Sequence, residues 1–88
     1  VYKYDSAGNL IKTIGSWGSS NGKFRSPYKI DIDSNDNIYV ADYDNNRIQK
    51  FDKNGNWLKN FTGLARPRSV TVDSAGNVYA SKYGPMEK

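Results

Sequence analysis

The sequence predicts an all-β chain of propeller-type blades, each a sheet of four short antiparallel strands, with about two blades in its 88 residues. Three observations carry this. Short runs rich in Ile, Val, Tyr and Phe alternate with the polar turns SAGN at 6–9, SNDN at 34–37, NGN at 54–56 and SAGN at 74–77, which is the pattern of hairpins. The runs are five or six residues long, right for strands and too short for helices. The chain also repeats itself: VYKYDSAGNLIKTI from residue 1 aligns with IQKFDKNGNWLKNF from 48, and PYKIDIDSNDNIYVADY from 27 with PRSVTVDSAGNVYASKY from 67, offsets of 47 and 40. Four short strands per unit at that period are the signature of a propeller blade.

With the strands of a unit labelled a to d, residues 1–15 read as strands c and d, residues 28–62 as a complete a-b-c-d blade, and residues 68–83 as a and b. The first and last segments are thus the outer and inner halves of one split blade. An aspartate opens each turn (Asp5, Asp33, Asp52, Asp73), placed to accept the N–H groups of the turn it starts. The hairpin ADYDNNRIQKFD at 41–52 occurs whole only once. The different offsets come from a longer loop before the first inner strand, GSWGSSNGKFRSP against TGLARP.

A chain this small buries only about 60 to 65% of its unfolded surface, so a self-sufficient core is marginal. Cysteine and histidine are absent, which removes disulfides, thiolate or imidazole metal sites and most triad chemistry. No apolar run reaches about 18 residues, so no membrane partner is expected. The net charge of +4 is mildly basic and does not by itself name a polyanion partner.

Residues 22–61, GKFRSPYKIDIDSNDNIYVADYDNNRIQKFDKNGNWLKNF, resemble the NHL repeat, and 37–52 are the most family-specific part. The resemblance implies a β-propeller, most often six-bladed, with strand a lining the central channel and strand d at the rim. Some NHL-type propellers are lyases that use a histidine-ligated metal. No histidine is available to carry that chemistry here, and neither an enzyme nor a cofactor is expected.

Two blades cannot close a ring, and open blades leave apolar faces and strand edges in water. Joining the ends would give SKYGPMEKVYKYD, the same hairpin as ADYDNNRIQKFD with one more turn residue. The expectation is therefore a homotrimer of six blades, its seam formed by Val1, Tyr2, Tyr4, Val78, Tyr79, Ala80 and Tyr83. The alternatives are a piece of a longer propeller protein and a unit engineered to self-assemble. Tyr39, Tyr79, Tyr4 and Phe51 recur at matching strand positions and are expected between blades.

Asp42 and Arg47 flank the YDNN turn and match residues that recur in NHL repeats, where they are read as a structural brace beside Asp33 and Asp73. In the last unit Ser81 is read in the place of Asp42, which leaves the split blade without the brace. DIDSNDNIYVAD has calcium-loop spacing at Asp31, Asp33, Asn35 and Asp42, but Asp36 stands where such a loop needs glycine. No metal site is expected, and Asp31 is the weak candidate, either in a ring around the channel or, as preferred, paired with Lys29. NFT at 60–62 is a glycosylation pattern that matters only in a secreted protein.

Loops d-a and b-c share one face and carry Lys23, Arg25, Lys29, Arg47, Arg66, Arg68 and Lys88 against Asp44 and Glu87; the opposite face is acidic. Trp17, in the long loop of the basic face, is expected to staple that loop with Phe24 or to serve recognition. Two functions follow. The first is a non-catalytic interaction scaffold that self-assembles. The second is binding of RNA, another polyanion or a protein ligand through Trp17, Lys23, Arg25, Arg47, Arg66 and Arg68.

Overall fold

Among the described residues, eight strands form three antiparallel sheets that follow one another along the chain. The protein is seen in a computed structural model that describes residues 1–82. Strands β1 (Tyr2–Tyr4) and β2 (Leu10–Thr13) make the first sheet. β3 (Pro27–Ile32), β4 (Ile38–Asp42), β5 (Arg47–Phe51) and β6 (Trp57–Phe61) make the second, paired in chain order. β7 (Pro67–Val72) and β8 (Val78–Lys82) make the third. One turn of 3-10 helix, Tyr43–Asn45, links β4 to β5 and ends on Asn46 in the left-handed region. The repeat extends to the irregularities: register shifts at Pro27/Lys29 and Pro67/Ser69 correspond, as do those at Lys3/Tyr4 and Lys50/Phe51.

All four turns at the acidic end are built alike. Asp33 Oδ1 accepts the N–H groups of Asn35 and Asn37 at 2.9 Å each, and its Oδ2 accepts Asn37 Nδ2 at 3.0 Å. Asp5 with Asn9, Asp52 with Asn56 and Asp73 with Asn77 repeat the arrangement. The inner turns add a tyrosine: Tyr39 OH donates to Asp33 Oδ2 at 2.8 Å and Tyr79 OH to Asp73 Oδ2 at 3.0 Å. Burial pushes the Asp33 carboxyl up, but the donors from Asn37, Tyr39 and Asn35 outweigh it and hold the group at about 2. Burial and the neighbouring Asp33 carboxylate push the Tyr39 phenol up to about 12.

The central sheet buries an apolar cluster on each face. Ile38, Val40 and Phe51 meet Ile14 and Phe24, with Val1 packed at the margin. On the other face Tyr39, Ala41 and Ile48 meet Val70, flanked by Phe61, Val72 and Val78. The second half-sheet thus covers one side of the complete one, and Ile14 with the long loop that follows it covers the other, the strands β1 and β2 themselves being exposed. Phe24 lies close to the backbone: a Cβ on Gly15, whose φ is +80°, would stand 2.4 Å from the Phe24 ring.

Of the four aromatics expected between blades, Tyr39 and Phe51 are buried, whereas Tyr4 and Tyr79 are exposed. Their positions repeat those of the buried pair, but within one chain no blade stands on their far side. Val78, placed at the seam by sequence, instead packs on Tyr39 within its own chain. Val1 is half-buried against the Ile14 cluster, while Tyr2 and Ala80 are exposed. Tyr83 lies outside the described residues.

Two outcomes follow. Asp36 holds φ +66° where the other three turns have glycine, so Asp36→Gly relieves a left-handed residue. It should stabilise by about 1 kcal/mol and raise Tm by several degrees in thermal denaturation. Hydrogen bonding depresses the carboxyls of Asp5, Asp33, Asp52 and Asp73, so the unfolded chain binds their protons more tightly. Their contribution is complete above the ordinary value of 3.8 and is lost as pH falls toward about 2, the value held by Asp33. A urea midpoint should fall across that window, and fall less in Asp33→Asn.

Candidate functional site

Arg47, Gln49 and Phe51 alternate onto one face of β5, where the long loop before β3 crosses the sheet. Phe51 meets that loop through Phe24, with ring centroids 5.5 Å apart. The other two are polar, because the loop brings carbonyls that have no strand partner. Arg47 donates Nη1 to Ser19 O at 3.0 Å and Nη2 to Ser20 O at 3.1 Å and Lys23 O at 2.7 Å. Gln49 Nε2 donates to Lys23 O at 2.6 Å, and its Oε1 accepts the Gly22 N–H at 2.9 Å.

Fully buried Asp42 ties these groups together. Its Oδ2 accepts Arg47 Nε at 3.1 Å, Gln49 Nε2 at 3.2 Å and Asn45 Nδ2 at 2.9 Å, and Oδ1 accepts the Arg25 N–H at 3.0 Å. Among the described residues no buried side-chain nitrogen or oxygen lacks a partner. The desolvation of both charges is thereby offset by hydrogen bonds. Gln49 and Asn45 escaped the sequence reading; a glutamine at an inward position of RIQKF was the available signal.

This geometry corrects two readings. Arg47 is buried and its guanidinium is committed to the loop, so it is a structural residue and leaves the basic face. Ser81 is not the counterpart of Asp42. Pro67 pairs with Lys82 as Pro27 pairs with Asp42, so Lys82 holds that place and the charge there is reversed.

Three of the remaining basic residues, Arg25, Arg66 and Arg68, lie against aromatic rings. Trp17 and Phe24 form a backbone bridge, but the Trp17 side chain is 75% exposed while Phe24 is buried, so no side-chain staple exists. Arg25 instead lies over the Trp17 ring, its Cζ 5.5 Å from the centroid. Tyr28 and Tyr43 stack at 4.6 Å; Arg68 lies over Tyr28 at 5.0 Å and Arg66 over Tyr43 at 5.9 Å. Arg66 also takes φ +52° and donates its N–H to Asn46 Oδ1. Lys23 is exposed. Lys88 and Glu87 lie outside the described residues.

The carboxylates spaced like a calcium loop serve three separate networks. Asp31 accepts the Val72 N–H on β7 at 2.8 Å and its own neighbour Ile32 N–H at 2.9 Å, rather than pairing with Lys29. It joins two inner strands. Asp33 holds its turn and Asp42 the loop. Asn60, of the NFT pattern, binds Trp57 and Asn21.

A groove of about 460 Å³ opens between the first half-sheet and β3. Val1, Ile14, Ile30, Ile32 and Ile38 line its apolar wall, with Lys3 at the side. Tyr2 and Tyr4 also line it, so three of the seam residues named from sequence, Val1, Tyr2 and Tyr4, meet at one place.

Removing Asp42 strands a buried guanidinium. Asp42→Ala should cost about 3 to 5 kcal/mol, read as a lowered urea midpoint, and should expose the loop amides of Gly22 and Arg25 to hydrogen exchange.

A family model described as the NHL repeat matches residues 24–51, the segment that holds the Asp42 network. Human NHL repeat-containing protein 3 is 34% identical over 99 aligned residues that cover 96% of this chain, and the mouse protein of that name is 32% identical over the same share. Protein lin-41 of Caenorhabditis elegans is 45% identical over 48 residues, 54% of this chain and 4% of its own length. The chain spans 28% of the length of the two mammalian relatives. With the repeat match lying on the complete four-stranded sheet and the two mammalian relatives aligned over nearly all of the chain, the chain belongs to the NHL-repeat family.

Proposed function

We propose that this chain is a non-catalytic interaction module whose primary activity is propeller assembly, three chains of two blades closing a six-bladed ring. One observation supports it above others. Among the described residues β1 and β8 each pair on one side only, and β7–β8 repeat β3–β4, the strands that complete β5–β6 in the central sheet. Pairing β8 of one copy with β1 of another would therefore rebuild the central arrangement. It would also bury open edges that otherwise template aggregation. In a longer polypeptide of this family the same edges would meet neighbouring repeats.

Light scattering behind size exclusion tests it. The expected mass at micromolar concentration is three times the 9.9 kDa chain. A single-chain mass over the whole accessible range removes the assembly reading.

The aromatic-mounted arginines favour a second reading, in which the face bearing Trp17, Lys23, Arg25, Arg66 and Arg68 binds single-stranded RNA or another polyanion. Cations already held over rings lose little freedom on binding a polyanion. Salt-titrated binding of a single-stranded RNA should show affinity falling steeply with salt, and Arg66→Ala with Arg68→Ala should flatten the slope by roughly 0.7 per lost contact. Absence of binding at low salt, or a slope unchanged in the double variant, would discard this reading.

A further inference from the structure

Tyr39 and Tyr79 are counterparts in the repeat, and the structure puts them in opposite situations. Tyr39 is 2% exposed and Tyr79 is 57% exposed. Both phenols donate to the aspartate that opens their turn, so the two rings are held in the same way.

The surroundings of Tyr39 are Ile48 and Phe61 from its own sheet and Val70, Val72 and Val78 from the next. The two repeat offsets give each of these a counterpart: Val1 for Ile48, Ile14 for Phe61, and Ile30, Ile32 and Ile38 for Val70, Val72 and Val78. Those five residues are the apolar wall of the 460 Å³ groove. Lys50, whose Nζ lies 5.5 Å from the Tyr39 ring centroid, corresponds to Lys3, which lines the same groove. Ile30 and Ile32 are 49% and 45% exposed, whereas of their counterparts Val70 is buried and Val72 half-buried. The groove is thus the Tyr39 socket without its tyrosine.

We infer that Tyr79 of a second copy of this chain is the anchor that fills the groove, and that each chain carries one anchor and one socket. The inference rests on the assembly reading above and names the contact that drives it. The match is heterologous, with the anchor on one surface and the socket on another, so docking propagates from copy to copy until the ring closes. A central, desolvated aromatic in a preformed apolar socket is the kind of residue that dominates an interface.

At the inner strands the new junction differs from the internal one in a polar contact. Internally Asp31 accepts the Val72 N–H across two inner strands. Between copies the corresponding residue is Thr71, facing an Ile32 N–H that already has Asp31 Oδ1 as acceptor. Apolar filling by Tyr79 carries the greater share of that junction.

Three proteins test this: Tyr79→Ser, which removes the anchor and keeps the socket, Ile30→Asp, which does the reverse, and Tyr79→Phe, which keeps the ring. Each of the first two should need about 30-fold higher concentration or more for assembly than the unaltered chain, with the far-UV spectrum of strands retained. Tyr79→Phe should assemble at nearly the unaltered concentration. Mixed in equal amounts, the first two should give a species of two chains by light scattering, because one intact anchor meets one intact socket and the ring cannot close. If the unaltered chain assembles and Tyr79→Ser assembles equally well, the anchor is wrong while the assembly reading stands. If the unaltered chain has a single-chain mass throughout, the assembly reading fails and the anchor with it. A mixture that stays at single-chain mass, beside an unaltered chain that assembles, also overturns the anchor.

Discussion

A β-sheet with apolar clusters on both faces cannot stand in water, and the central sheet of this chain is one. Ile38, Val40 and Phe51 require cover on one side and Tyr39, Ala41 and Ile48 on the other. Ile14 and the long loop after it, with Val1 at the margin, supply the one cover, and the second half-sheet supplies the other. Once those are in place the same requirement passes outward to Tyr4 and Tyr79, which repeat covered positions and are themselves uncovered. The assembly proposal is the continuation of that demand beyond one chain.

The cover on the two sides differs in kind. The second half-sheet meets Tyr39 by sheet-on-sheet packing, reinforced where Asp31 reaches the β7 backbone. The other side is partly closed by a loop, and a loop brings unpaired peptide groups with it. Asp42, Arg47, Gln49 and Asn45 supply the missing partners, acting as a substitute for a ladder. A buried ion pair alone contributes little to stability; it is tolerated here because nearly every polar atom around it is bonded. The second unit has the short TGLARP connection instead, which lacks the extra peptide groups, and Lys82 stands where the knot would be.

The turns illustrate how one local solution is reused under different demands. The Asp-to-Asn clasp appears four times with the same bonds. It needs no tertiary support, since all its donors lie within four residues. Only the inner turns add a tyrosine, and that link sets ring position from the turn itself. The Tyr79 ring is thereby held even where it stands 57% exposed.

What the sequence by itself determined is what local chemistry and exact repetition can specify. The four clasps, the strands between them and the order of two, four and two strands are written in turn residues and in two offsets, and the structure has them. The register was legible too, but a slip of one residue moves a side chain to the other face, and naming Ser81 in place of Lys82 was such a slip. Tertiary structure decided everything that depends on which distant backbone a polar group meets. Arg47 turned from a hairpin brace counted also on the basic face into a loop clamp, Asp31 from a partner of Lys29 into a strand-to-strand link, and Trp17 from a staple into an exposed ring under Arg25. The pairing of the groove with Tyr79 needed both kinds of information. The offsets say which residues correspond, and only the folded chain shows that one set is buried and its counterpart is open.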